Sequence, residues 1–171
     1  MARSALAEAF DHHAWANRTL LAALAALDPA RRDVSLLGTY GTVIATFEHL
    51  VSGDGFYLAT LGEPEEGDAD TGDVHDRLGA LAELVERHAR AWERVLATLG
   101  EDPDRVVTDV DEAGWRRDAS VGLRCAQALQ HGTEHRAQIL TALTFHGLAA
   151  PDLSVWAYGD ATGRVLETPP S

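Results

Sequence analysis

Apolar residues recur at three- and four-residue steps along four long stretches of the chain. Leu6, Phe10, His13, Asn17, Leu20, Leu21, Leu24 and Leu27 share a helical face, which predicts a helix from Arg3 to Leu27. Asp28-Pro29 ends it, because a residue before proline avoids the helical region. Val43, Phe47, Leu50, Asp54, Tyr57 and Leu61 mark a second helix, from Thr39 to Leu61. Gly53 and Gly55 lie inside it, each costing about 1 kcal/mol relative to alanine. They read as points where a ligand or another helix comes close. Leu78, Leu81, Val85, His88, Trp92, Val95 and Leu99 form an unbroken stripe on a third helix, Val74 to Leu99. The fourth runs from Ser120, a side chain suited to capping, to His146, with Gly147 placed as a C-terminal cap.

The segments between are richer in turn residues. Residues 28–38 connect the first two helices. The acidic stretch GEPEEGDADTGD (62–73) reads as a solvated loop, since it lacks the ordered carboxylate spacing of a calcium loop. Within 100–119, VVTDV (106–110) has the composition of a short strand, with no partner evident. The C-terminal stretch 148–171 holds Trp156 and Tyr158 as anchors and a loose Pro169-Pro170 end. The expected fold is therefore all-α, a four-helix bundle with a short irregular C-terminal extension. It is one domain spanning 1–171, with its core over about 4–147 and the extension over 148–171.

Charge narrows the partners. The net charge of −13 repels phosphate backbones and anionic lipid, which argues against nucleic acid and membrane surfaces. No apolar run reaches the ~18 residues of a membrane span, and no targeting segment is evident, so the expected location is cytoplasmic. All 14 basic residues are arginine, which excludes a Schiff-base lysine. The single cysteine, Cys125, reads as a small buried hydrophobe.

The chemistry concentrates in QHGTEHRAQ (130–138). His131 and His135 stand four apart, about 40° around a helix, so both imidazoles can reach one ion. Two readings are open for the pair: half of a metal site, or a solvated acid–imidazole group with Glu134. A third ligand favours metal, and His49 is the best placed, near the middle of the second helix beside Phe47 and Leu50. His88 reads as a core histidine, His75 as exposed, and His146 as suited to a helix C-terminus. His12 and His13 point toward the bundle, where site, core and surface roles all remain open.

Spacing tests two rival chemistries. A di-iron bundle needs Glu-x-x-His, and no histidine here has an acidic residue three before it. HGTEH (131–135) matches the H-x-x-E-H peptidase motif, but the short tail after it leaves no room for the further domain that would supply the remaining acidic ligand. The nucleophile elbow and the common nucleotide-binding loops are absent.

Three segments, in order, resemble the DinB-like metalloprotein superfamily. FDHHAWANRTLL (10–21) is similar to its opening helix, FEHLVSGDGFYLATL (47–61) to its second, and ALQHGTEHRAQILTAL (128–143) to its last long helix. The chain reads HRAQ where the family pattern is H-R-G-Q, with Ala137 in place of glycine. The resemblance covers about residues 4–160. It implies a bundle of the DinB type holding a divalent metal on His49, His131 and His135. It also implies a function class, since relatives include bacillithiol and mycothiol S-transferases and a mycothiol-dependent isomerase.

The expected function is metal-dependent transfer or isomerisation in which a low-molecular-weight thiol, mycothiol-like, attacks a small electrophile. The alternative is a non-catalytic metal-binding bundle serving as sensor, store or interaction module. Zinc or nickel suits an all-imidazole site. Glu134, Gln138 and Asp54 are the candidates to orient ligands or take protons. Arg116 and Arg117, before the fourth helix, are candidates to hold an anionic cosubstrate. A homodimer through an apolar helix face is a further expectation.

Overall fold

In the computed structural model, residues 4–64, 74–99, 102–111 and 113–168 are described. The acidic stretch beyond Pro64, the side chain of His75 and the Pro169-Pro170 end lie outside them. Among the described residues are five α-helices, a 3-10 turn at Pro29–Arg31 and one two-stranded sheet: α1 (Ala5–Ala25), α2 (Val43–Thr60), α3 (Val74–Leu99), β1 (Val106–Val110), β2 (Arg116–Ser120), α4 (Val121–Phe145) and α5 (Val155–Ala161).

Side-chain caps set the helix ends. Ser4, Thr42, Ser120 and Ser154 each accept a hydrogen bond from the backbone N–H three residues on. The structure starts α2 at Val43 rather than Thr39, because Gly41 at φ 101° cannot continue a helix and Thr42 is the cap. α1 ends at Ala25, and the buried Arg32 donates to the carbonyls of Ala25 and Leu27, satisfying acceptors that the helix end leaves open. Gly147, at φ 66°, closes α4 as expected, with Leu148 N–H bonded to Leu143 O.

Two parts of the sequence reading are corrected. The fold is not purely helical, because VVTDV pairs with RRDAS (116–120) as an antiparallel hairpin in the register Val106↔Ser120 to Val110↔Arg116. Arg124 of α4, 4% exposed, holds the hairpin down by donating to the carbonyls of Val107 and Arg117 and to Asp109. The C-terminal extension is not wholly irregular, because Ser154 nucleates α5. Tyr158 of α5 packs on Trp15 of α1, with ring centroids 5.6 Å apart, and His12 donates to Leu153 O at 2.8 Å.

α2 packs against α4 and α3, while α1 packs against α3 and α4. Two apolar clusters result. One gathers Leu20, Leu24, Phe47, Leu50, Leu81, Ile139 and Leu143. The other gathers Phe10, Leu58, Trp92, Val95, Cys125 and Ala128. Each long helix carries buried polar groups where it passes from one cluster to the other: His13 and Asn17 on α1, Asp54 on α2, His88 on α3, His135 and Arg136 on α4. A polar layer thus divides the apolar interior.

Candidate metal centre

The layer opens toward the surface where α2 meets α4. α2 presents His49, and α4 presents His131 and His135 on successive turns. Ring centroids lie 5.1 Å apart for His49 and His131, 4.7 Å for His49 and His135, and 4.4 Å for His131 and His135. One nitrogen from each ring lies within 4.8 Å of the others. Two glycines make this approach possible. A Cβ on Gly53 would stand 2.2 Å from Cε1 of His131, and one on Gly132 would stand 2.4 Å from Cε1 of His13. Gly53 therefore admits an imidazole from a neighbouring helix, one of the two alternatives its sequence suggested. Gly55 leaves ordinary contact to His88, 3.4 Å from its ring.

Burial favours the neutral form of two of the rings. Burial, then the neighbouring charges of His135 and His49, push His131 down to about 4. Burial and His135 likewise lower His49. At neutral pH both rings therefore have an unprotonated nitrogen available as a ligand. Nε2 of His131 and Nε2 of His49 are 3.3 Å apart. Two ligands on a tetrahedral ion at ~2.0–2.1 Å would be separated by about 3.3 Å. The donor set thus fits a divalent cation, with three imidazole nitrogens and no anionic group among them.

The other expected site residues divide. Gln138 lies beside the cluster, where its Oε1 accepts from Nδ1 of His135 at 2.8 Å and so leaves Nε2 of His135 as the free donor. Asp54 is 2% exposed and faces His13 and Asn17, which donate to its Oδ2 at 2.8 and 3.4 Å, rather than bonding any of the three histidines. Glu134 is exposed and accepts from Gln130, so it touches the cluster only through its charge on His131. Arg116 and Arg117 sit on β2, a strand rather than a loop, ion-paired with Asp118 and Asp109. His131 lies ten residues into α4 from Val121, about 15 Å along its axis, so the arginines stand apart from the cluster.

Sequence reading misses several neighbours. Tyr40 stacks on His49 at 3.7 Å, with 8° between the rings, and lies nearly perpendicular to the ring of His135, 6.1 Å away. A helix taken to start at Thr39 conceals it. Tyr57 meets His131 edge-on at 5.8 Å. Arg136 donates to Nδ1 of His13 at 3.2 Å and to Oδ1 of Asn17 at 2.8 Å. The signals for these three are spacings: Asn17 four after His13, and a lone arginine between His135 and buried Ile139. Cys125 is fully buried and its thiol is pushed up to about 11 by burial, so it supplies no nucleophile. His146 donates to Ser35 O, away from the cluster.

These features define a mostly helical protein with a three-histidine cluster able to hold a divalent metal. The chain belongs to the DinB family, whose sequence model matches residues 1–168. Its fold is similar to the crystal structure of a DinB-like protein from Bacillus cereus ATCC 10987, with a TM-score of 0.63 and 17% identity over 86% of this chain and 94% of that one. No curated protein matches the sequence. Among the described residues, no helix is long and apolar enough to cross a membrane.

Proposed function

We propose that the protein is a divalent-metal-dependent transferase that presents a low-molecular-weight thiol, mycothiol-like, to a small electrophile. The observation that carries this reading is the donor set: three imidazoles converge within 4.8 Å with no carboxylate among them. A metal held this way keeps its full charge, and when bound it would lower the pKa of a coordinated thiol from ~8.5 so that the thiolate prevails at neutral pH. Zinc and nickel suit such ligands.

The chain's own residues then hold and orient. His49, His131 and His135 supply the nitrogens. Gln138 fixes the ring of His135, and Tyr40 blocks one face of His49, so a substrate approaches from the remaining side. The buried Cys125 leaves the nucleophile to a cosubstrate. The choice of a mycothiol-like thiol follows the family resemblance.

The test is conjugation of monochlorobimane with mycothiol, bacillithiol, glutathione and cysteine, with and without Zn²⁺ or Ni²⁺. Turnover that needs metal and vanishes in His135→Ala supports the transferase. Stoichiometric metal binding with no turnover for any thiol assigns the protein instead to a metal sensor or store.

A further inference from the structure

The hydrogen bonds of the polar layer have a fixed direction. Arginine only donates. Arg136 Nη1 donates to Nδ1 of His13, so that nitrogen carries no proton and His13 is the neutral Nε2–H form. Its Nε2–H then donates to Oδ2 of Asp54 at 2.8 Å. Arg136 also donates to Oδ1 of Asn17, which turns the Asn17 amide nitrogen toward the same Oδ2 at 3.4 Å; that nitrogen also lies 3.2 Å from Nε2 of His13, which, carrying the proton, accepts nothing from it. Both paths begin at Arg136 and end at Asp54. The cation and the carboxylate are 5% and 2% exposed, so each offsets the other's charge in the interior.

The chain of donors stops one atom short. Asp54 Oδ1 is buried with no hydrogen-bond partner. His131 Nδ1 is also buried with none. A buried polar group left without a partner is costly, so a pairing that satisfies both is favoured. The ring of His131 lies against α2 at Gly53, the residue before Asp54. The other nitrogen of His131 faces His49 across the cluster.

From this we infer that Asp54, His13, Asn17 and Arg136 are positioning residues of the metal centre: Asp54 Oδ1 takes the Nδ1–H of His131 when Nε2 binds metal, and the other three hold Asp54 in place. A ligand imidazole is commonly steered in this way by a carboxylate on its far nitrogen. The inference rests on the three-histidine reading of the site but not on thiol chemistry.

The experiment is proton–nitrogen NMR of the histidine side chains in the Zn²⁺-loaded protein, joined to Zn²⁺ titration of Asp54→Asn and His13→Gln. The expected spectrum contains a downfield, exchange-protected Nδ1–H that is missing in His131→Ala. Zn²⁺ affinity should fall roughly 10–100-fold in Asp54→Asn and less in His13→Gln. A His131 Nδ1–H that exchanges freely with water, or a folded Asp54→Asn that binds Zn²⁺ as wild type does, overturns the inference while leaving the metal centre intact. Should Asp54→Asn fail to fold, the wild-type spectrum decides alone. Wild-type protein that binds no Zn²⁺ overturns the centre and the inference together.

Discussion

His131 lies against the backbone of α2 at Gly53, where an added Cβ would stand 2.2 Å from its Cε1. Alanine inside a helix is ordinarily favoured over glycine by about 1 kcal/mol. Here the methyl group must displace the imidazole, and overpacking of this kind costs about 1–3 kcal/mol. Gly53→Ala should therefore gain no stability and should lower Zn²⁺ affinity roughly 10–100-fold, as isothermal titration would show.

His49 is the only contribution of α2 to the three-histidine cluster. Removing it leaves the two nitrogens of α4, which cannot enclose an ion. His49→Ala should lose stoichiometric metal by elemental analysis while keeping its helical circular dichroism. The double variant Arg116→Ala/Arg117→Ala should retain its metal, because those side chains pair within the hairpin.

Gln138 acts on the tautomer of His135 rather than on the metal. With its Oε1 accepting the Nδ1–H, Nε2 of His135 is held as the ligand nitrogen. Gln138→Leu should weaken Zn²⁺ binding by about tenfold or more, the usual effect of losing such a partner. Gln138→Glu should preserve it, since a carboxylate accepts the same bond.

Stability of the metal-free protein should depend on pH in a defined window. Folding pushes His131 from 6.5 down to about 4, and His49 in the same direction. Between those values the unfolded chain holds protons that the folded chain excludes, so stability rises with pH there. The stability present above pH 6.5 is thus lost progressively as pH falls toward 4. Urea midpoints at pH 7, 6 and 5 should decline in wild type and decline less in His131→Gln.

Cys125 should be silent to thiol reagents in the native state. It is wholly buried and its thiol lies near 11, so thiolate is scarce at neutral pH. One equivalent per chain should react only after denaturation, since the sequence holds a single cysteine.

The long helices and the His131–His135 pair are legible in the amino-acid sequence because both are periodic features, while His49 follows from its place in the second helix and from the family resemblance. A stripe such as Leu78 to Leu99 marks α3 over its full length, and the four-residue step from His131 to His135 puts both rings on one face. What escapes depends on contacts across the chain. The strand VVTDV is too short to reveal its partner, and RRDAS carries charges that resemble a loop. Spacing suggests Asp54 beside a ligand, but which atoms it bonds follows from where α1 places His13 and Asn17. Glu134, adjacent in sequence to His135, is exposed and bonds Gln130, because successive helical residues stand about 100° apart.

The polar layer also sets how far the helices can slide. A shift of α4 by one turn, about 5.4 Å, would carry Arg136 away from Asn17 and His13 and into an apolar cluster. Leaving a buried cation unpaired costs several kcal/mol, whereas leucine against leucine tolerates such a shift far better. The same displacement would misalign Gly53 with His131 and Gly132 with His13, setting a Cβ against an imidazole. The pairs therefore act as a key for axial alignment of α1, α2 and α4, and the three ligand nitrogens meet because that key admits one register.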